Sequence, residues 1–150
     1  LVIAAMITPP YDRGAIESGM KSLAKIDAPI IAGGINVRSD YLQGNREKLV
    51  RFLKGYIEGI HFLINNKKET IKIFSDYLGA RDPKVIEFFY GEIAGRVEKN
   101  LSPDPESVRF TLDFIARLNP KAKEVKTTDF SDLSLLEEIQ KSGFIEKLYR

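Results

Sequence analysis

The sequence contains no cysteine and only one histidine, His61. Without a thiol, the chain can form no disulfide, no thiolate nucleophile and no zinc site built on sulfur. A single histidine also cannot supply the paired imidazoles that many metal sites use. His61 lies beside Ile60 at the border of an apolar helical stripe. We therefore interpret it as a packed or solvated side chain and not as a catalytic group.

The chain also lacks an excess of charge of one sign. It has 23 basic and 21 acidic residues and a net charge of only +2, and the two signs alternate along the sequence. A nucleic-acid surface needs clustered positive charge to displace the counterions of phosphates. We therefore predict no nucleic-acid partner.

Long hydrophobic runs and phosphate-binding loops are missing as well. The apolar run near the start, Leu1–Ile7, is far shorter than the ~20 residues of a membrane-spanning helix. The pair Gly33–Gly34 lacks the further glycine and the lysine that known phosphate loops require. The acidic pairs Glu137–Glu138 and Asp129 with Asp132 occur among helix-start signals, where carboxylates act as caps and dipole partners. The sequence thus predicts no catalytic residue, no metal site and no cofactor.

What is present favours a folded α/β protein. With 150 residues, 43% of them hydrophobic and 29% charged, the chain has the size and composition of one globular domain. The run Leu1–Ile7 predicts a buried strand, and the β-branched segment Ile30–Val37 predicts a second one. Pro10 suits the first turn of a helix that should continue from Tyr11 to about Ala24, with Gly19 on its apolar stripe and Asp12 facing solvent. Two strands joined by a crossover helix indicate part of a larger parallel sheet.

From Ser39 onward the pattern is helical, which brings the expected total to about six helices and two strands. Asn45 is the predicted N-cap of a long amphipathic helix, and Gly55 and Gly59 on that helix predict a close contact with another helix. Further boundaries are predicted from capping residues, proline and glycine. These signals are Gly79, Asp82–Pro83, Asp104–Pro105, Asn119–Pro120, Asp129–Asp132 and Gly143.

These segments follow one another in the order found in a known family. They are the apolar strand ending at Pro9–Pro10, the segment Gly33–Leu42, the helix Asn45–Ile60 and the closing segment Asp129–Ile139. In order and spacing they resemble the C-terminal half of the nitrate, taurine and sulfonate type of solute-binding proteins, a group that also contains thiamine-precursor binding proteins. The resemblance covers nearly the whole chain.

The resemblance implies a fold and a division of the chain. The chain would be the C-terminal portion of a periplasmic-binding-protein type II fold, an α/β fold that is predominantly helical in this portion. Residues 1–26 would be the end of the second lobe, a strand plus a helix. Residues 27–38 would be the strand that crosses the hinge, and residues 39–150 the helical part of the first lobe.

The resemblance also implies a function. Such a protein captures a small solute, anionic or heterocyclic, and delivers it to an ABC importer. The implied partners are the solute, the membrane permease of that importer and the remaining N-terminal part of the same protein. The implied location is the periplasm, or the extracytoplasmic face of a membrane to which the protein is anchored.

Ligands of this family bind between the lobes, where strand C-termini and helix N-termini meet. The matching ligand-binding positions are Thr8, Pro10 and Tyr11 on one side and Gly33, Gly34 and Asn36 on the other. Free N–H groups at a helix start near Pro10 and Tyr11 would suit a small anion. The alternative is that Thr8 and Tyr11 only cap and pack the turn.

Two other functions stay open at this stage. The first is a non-catalytic helical interaction domain whose apolar stripes bind a protein partner. A binding-protein lobe should leave an unmatched apolar strand edge at Leu1–Ile7, whereas a complete helical domain should not. The second is an enzyme like the thiamine-pyrimidine synthases, which the absence of cysteine disfavours.

Overall fold

The computed structural model describes residues 3–8, 11–25, 28–29, 31, 33–79, 82–99 and 101–150. Over these residues every regular element is helical. Two short 3-10 helices cover Pro120–Glu124 and Thr127–Asp129. The α-helices are α1 Tyr11–Glu17, α2 Ser39–Gly44, α3 Arg46–Asn65, α4 Lys67–Leu78, α5 Pro83–Ala94, α6 Pro105–Ala116, α7 Ser134–Lys141 and α8 Phe144–Leu148.

The predicted α/β fold of the type II periplasmic binding proteins is wrong for the described part of the chain. None of residues 3–7, 31 or 33–37 is in a strand, and the other positions of the two predicted strands lie outside the described residues. A strand forms only where a neighbouring strand accepts and donates its ladder hydrogen bonds, and the described residues supply none. Ile3 and Met6 are instead 94% and 88% exposed.

The segment predicted as the second strand uses a different hydrogen-bond partner. The backbone N–H of Ile31 donates to Oγ1 of Thr111 in α6 at 3.0 Å, and Thr111 in turn donates to the carbonyl of Ser107 at 2.7 Å. Thr111 is buried. A buried side chain thus satisfies a backbone group that a sheet would otherwise have to pair.

Helix α1 ends seven residues earlier than predicted. Gly19 adopts φ +91°, and its N–H donates to the carbonyl of Ile16 at 2.9 Å, while the N–H of Met20 donates to the carbonyl of Ala15 at 3.0 Å. This pair of bonds is a Schellman motif, which closes a helix with a left-handed glycine. Gly19 is therefore the stop signal of α1 and not a member of its apolar stripe.

The boundaries predicted from local capping signals are confirmed. Gly79 and Gly143 follow α4 and α7 with φ of +61° and +70°. Oδ1 of Asp82 accepts from the N–H of Lys84 at 2.9 Å, one residue after Pro83 begins α5. Asn45 precedes α3 as expected, but its side-chain amide donates back to the carbonyl of Tyr41 at 3.1 Å. Its backbone carbonyl accepts the first α3 bond, from the N–H of Leu49.

Asp104, the N-cap of α6, should make stability depend on pH in acid. Its Oδ2 accepts from the N–H of Ser107 at 2.8 Å and from the hydroxyl of Ser107 at 3.0 Å. These bonds, the backbone one first, hold the pKa of Asp104 below its ordinary value. Because the folded-state pKa is the lower one, the stabilisation is complete above the unfolded pKa and is lost as the pH falls through the folded pKa.

The matched variant is Asp104→Asn, which keeps an acceptor for the cap but cannot ionise. We expect it to melt at a lower temperature than the parent at pH 7, and the difference in melting temperature to shrink as the pH falls below about 3.9, the ordinary pKa of an aspartate. Circular-dichroism melts over this pH range measure the difference. A difference that does not change with pH would contradict the assignment.

The chain divides into two compact units. One comprises residues 1–26 and 60–97, and the other residues 27–59 and 98–150. Helix α3 therefore contributes residues 60–65 to the first unit and residues 46–59 to the second. The lobe boundaries expected at residues 26 and 38 stay predictions.

The second unit is built around the apolar face of α3. Ile57 of α3 and Ile139 of α7 are both fully buried, and they share a cluster with Leu49, Val50, Leu53 and Leu135. Partly buried side chains from α8, including Phe144, pack against this cluster. The Nε of Arg46 contacts Oε2 of Glu138 at 3.0 Å and joins the start of α3 to α7 at the surface. Leu49, Leu53 and Ile57 of the apolar stripe predicted for α3 thus belong to the core of this unit, whereas Phe52 and Tyr56 of the same stripe are exposed.

Gly55 and Gly59 do not mark a helix contact as predicted. Both are exposed, and a Cβ built on either would meet nothing within 4 Å among the described residues. Phe52 and Tyr56, one turn apart beside them, are 53% and 49% exposed. This side of α3 faces solvent in the described structure.

The first unit packs α4 against α5. Phe74 and Phe89 meet with ring centroids 5.4 Å apart at an interplanar angle of 55°. The hydroxyl of Tyr90 donates to the carbonyl of Leu63 at 3.1 Å and so ties α5 to the end of α3. Ile86 of α5 is only 1% exposed. Apolar packing and one buried hydroxyl therefore fix α5, the helix against which the candidate site forms.

Candidate functional site

The structure brings Thr8 and Tyr11 together but changes what they offer to a ligand. The N–H of Tyr11 donates to the carbonyl of Thr8 at 3.1 Å, so this amide is not free for an anion as the sequence suggested. Thr8 is exposed and Tyr11 is 72% exposed. Pro10 lies outside the described residues. The groups that remain available are the Thr8 hydroxyl and the Tyr11 phenol.

The three predicted positions on the other side lie in the second unit. The side-chain amide of Asn36 donates to the carbonyl of Gly34 at 3.3 Å, which forms a local turn. Gly33 and Gly34 are exposed, and a Cβ on either would meet no described atom within 4 Å. The glycines are thus open to solvent, and Asn36 keeps its amide oxygen as an acceptor.

The first unit contains a pocket that was not predicted from the sequence. Its volume is about 320 Å³, and it is lined by Asp12, Arg13, Ile16, Glu17 and Phe88. Four of these residues come from α1 and one from α5. The pocket therefore exists only because α1 packs on a helix some seventy residues further along the chain.

Arg13 is held in the pocket wall by several contacts. Its Nε donates to Oε1 of Glu17 at 3.0 Å, one helical turn away. The guanidinium carbon lies 5.8 Å from the ring centroid of Phe88, within the range of a cation–π contact. One terminal nitrogen also lies 3.5 Å from the carbonyl of Lys84. The guanidinium of Arg13 is therefore already engaged by other groups of the protein.

Asp12 differs from the other lining residues in the hydrogen bonding of its side chain. Its Oδ1 atom is buried and accepts no hydrogen bond from the described residues. Loss of hydration without a compensating donor typically costs a buried polar group about 1–3 kcal/mol. The amphipathic pattern of α1 predicts Asp12 on the solvent face, and the burial of Oδ1 shows that this prediction is wrong.

A second depression occurs in the second unit, where α2 meets α3. It has a volume of about 370 Å³ and is basic, with Arg46, Lys48 and Arg51 among its lining residues. All of its lining residues come from the continuous stretch 43–51. No side-chain atom of this stretch is both buried and without a hydrogen-bond partner. This surface therefore lacks the feature that distinguishes the pocket at Asp12.

The acidic pairs near α7 behave as caps and ion-pair partners. Oδ1 of Asp132 accepts from the N–H of Ser134 at 2.9 Å. Hydrogen bonding by the Ser134 side chain, followed by this backbone bond, lowers the pKa of Asp132. Glu137 pairs with Lys141 at 3.6 Å and Glu138 with Arg46. These carboxylates are thus explained by local structure.

The described ranges contain neither a metal site nor a membrane-spanning helix. No group of three or more histidine, cysteine, aspartate or glutamate side chains is arranged to hold a metal ion there. Among the same residues, no helix combines the length and the apolar character that crossing a bilayer requires.

Comparison with family models, with curated protein sequences and with solved structures finds no match to this chain.

Proposed function

We propose that this chain captures a small solute as part of an extracytoplasmic receptor that delivers the solute to an ABC importer. The observation that carries the proposal is the pocket lined by Asp12, whose buried Oδ1 accepts no hydrogen bond from the described residues. Residues 3–7 form no strand, so the strand-edge criterion favours the helical interaction domain instead. The proposal therefore rests on this pocket and not on a sheet.

The proposed receptor acts by binding alone. A solute that contacts both lobes stabilises their closed arrangement, and the permease recognises that arrangement. In this proposal Thr8 and Tyr11 of the first unit contribute hydroxyl groups to the solute. Gly33, Gly34 and Asn36 of the second unit stay proposed ligand-binding positions on the strength of the resemblance alone. The permease and the remaining part of the encoded protein are the proposed partners.

Replacing Tyr11 with alanine in the full encoded protein should weaken solute binding about tenfold, which corresponds to roughly 1.4 kcal/mol. The fold should be unaffected, because the Tyr11 side chain is largely exposed. The solute is first found by a thermal-shift screen of small metabolites, and its affinity is then measured by titration calorimetry. Tyr77→Ala is the matched control, because Tyr77 is 86% exposed in the same unit.

The same binding experiment distinguishes the proposed receptor from the two other functions. A helical interaction domain should show no saturable binding of any small solute. An enzyme should convert the solute, and mass spectrometry of the incubated mixture would detect the product. Equal affinity of the Tyr11 and Tyr77 variants would remove Tyr11 from the site.

A further inference from the structure

We infer that the pocket between α1 and α5 selects a solute with a positively charged nitrogen on an apolar stem, and that Asp12 is its counter-ion. This inference rests on the proposed function and deepens it by naming the solute class. It differs from the anionic solute expected for the start of α1. The lining residues, their burial and their charges carry it.

Among the described residues, one carboxylate of the pocket lining has no ion-pair partner. Asp12 and Glu17 are acidic and Arg13 is basic. The 3.0 Å contact between Arg13 and Glu17 pairs one carboxylate with the guanidinium. The carboxylate of Asp12 is then the charge that the pocket presents to a ligand.

The position of Asp12 defines what the ligand must donate. Its carboxylate lines the pocket, and its buried Oδ1 accepts no hydrogen bond from the described residues. An ammonium or amidinium group in the pocket would bring the opposite charge to this carboxylate, and charge-assisted bonds of that kind are among the stronger ones in proteins. An anion would meet a like charge here, and the guanidinium of Arg13 already contacts Glu17.

The rest of the lining suits an apolar stem. Ile16 is 54% exposed, and Phe88 is partly buried at the same pocket. A hydrocarbon chain or ring attached to the nitrogen would cover these side chains and remove their apolar surface from water. A cavity of about 320 Å³ accommodates a molecule of this kind.

The test uses three probes of nearly equal shape, namely benzylammonium, benzyl alcohol and benzoate, with the full encoded protein in titration calorimetry. We expect benzylammonium to bind at least about tenfold more tightly than benzyl alcohol, and benzoate to bind most weakly. This comparison is made on the unmodified protein and does not depend on any variant folding. Benzoate binding as tightly as benzylammonium, or no detectable binding of benzylammonium, would overturn the inference.

The variant Asp12→Asn should reduce the affinity for benzylammonium at least about tenfold and leave that for benzyl alcohol nearly unchanged. Asp76→Asn is the matched control, since Asp76 is exposed on α4 in the same unit and outside the pocket; it should change neither affinity by more than about twofold. Melting curves supply a second readout: a buried charge without a donor should make Asp12→Asn at least as stable as the parent. Unchanged binding of benzylammonium to Asp12→Asn would also contradict the assignment.

The outcomes separate this inference from the proposed function. If a non-cationic solute binds and Tyr11→Ala weakens it, the receptor function stands and the charge assignment is wrong. If no metabolite from the screen binds but benzylammonium does so through Asp12, the pocket is as assigned and the receptor function fails.

Discussion

Replacing Ile57 with alanine should lower the free energy of unfolding by about 2–5 kcal/mol. Ile57 is fully buried in α3, at the centre of the cluster that joins α3 to α7. Truncation removes apolar contacts and leaves a cavity that the close-packed neighbours fill only in part. Denaturant unfolding followed by circular dichroism measures the change.

The control for Ile57 is the same substitution at an exposed isoleucine of the same unit. Ile115 on α6 is 39% exposed, so Ile115→Ala should cost less than about 1 kcal/mol. If both variants lost equal stability, the cluster around Ile57 would not be the core of this unit.

The variant Ile86→Ala should destabilise the first unit by a comparable amount, about 2–5 kcal/mol. Ile86 is 1% exposed on α5, the helix that contributes Phe88 to the pocket. A loosened α5 should also weaken solute binding, because the wall formed by Phe88 would lose its fixed position. Hydrogen exchange of the α5 amides reports the local effect, and calorimetry reports the binding.

Ile73→Ala is its matched control, because Ile73 is 53% exposed on α4 of the same unit. We expect this variant to retain both the slow exchange of α5 and the affinity for solute. Fast exchange of the α5 amides in the Ile73 variant would show that Ile86 has no special part in fixing that helix.

Most features that depend on residues close together in the chain were predicted correctly, and the stop of α1 at Gly19 is the exception. Asp82 and Asp104 cap helices that begin with proline, and Gly79 and Gly143 end α4 and α7 with positive φ. The stripe containing Ile57 was also identified, because its period matches the helix. Each of these rests on the geometry of one or two turns, and each residue type has a strong preference for its place.

Features that depend on a partner elsewhere in the chain were predicted wrongly or missed. The run containing Ile3 and Met6 has strand-like composition, yet it is irregular and exposed because no described residues pair with it. Gly55 and Gly59 have the spacing of a helix contact, but no described helix approaches them. Composition and spacing show what a segment is suited for, whereas the available neighbours decide what it does.

The same distinction applies to the candidate site. The positions Thr8, Tyr11, Gly34 and Asn36 came from the resemblance, and the structure shows local hydrogen bonds within each pair. Asp12 looked like an ordinary exposed residue in the first turn of an amphipathic helix. Its burial depends on tertiary packing in the first unit, where Phe88 lines the same pocket.

The amino-acid sequence by itself determined the helix boundaries after Ser39, the core stripe of α3 and the absence of thiol chemistry. Tertiary structure alone decided that the apolar run containing Ile3 forms no strand and that Asp12 and Phe88 share a pocket. The physical reason is the distance along the chain between the residues that each feature requires. A cap or a helical period is complete within a few residues, whereas a strand ladder and a pocket wall each require atoms from distant parts of the chain.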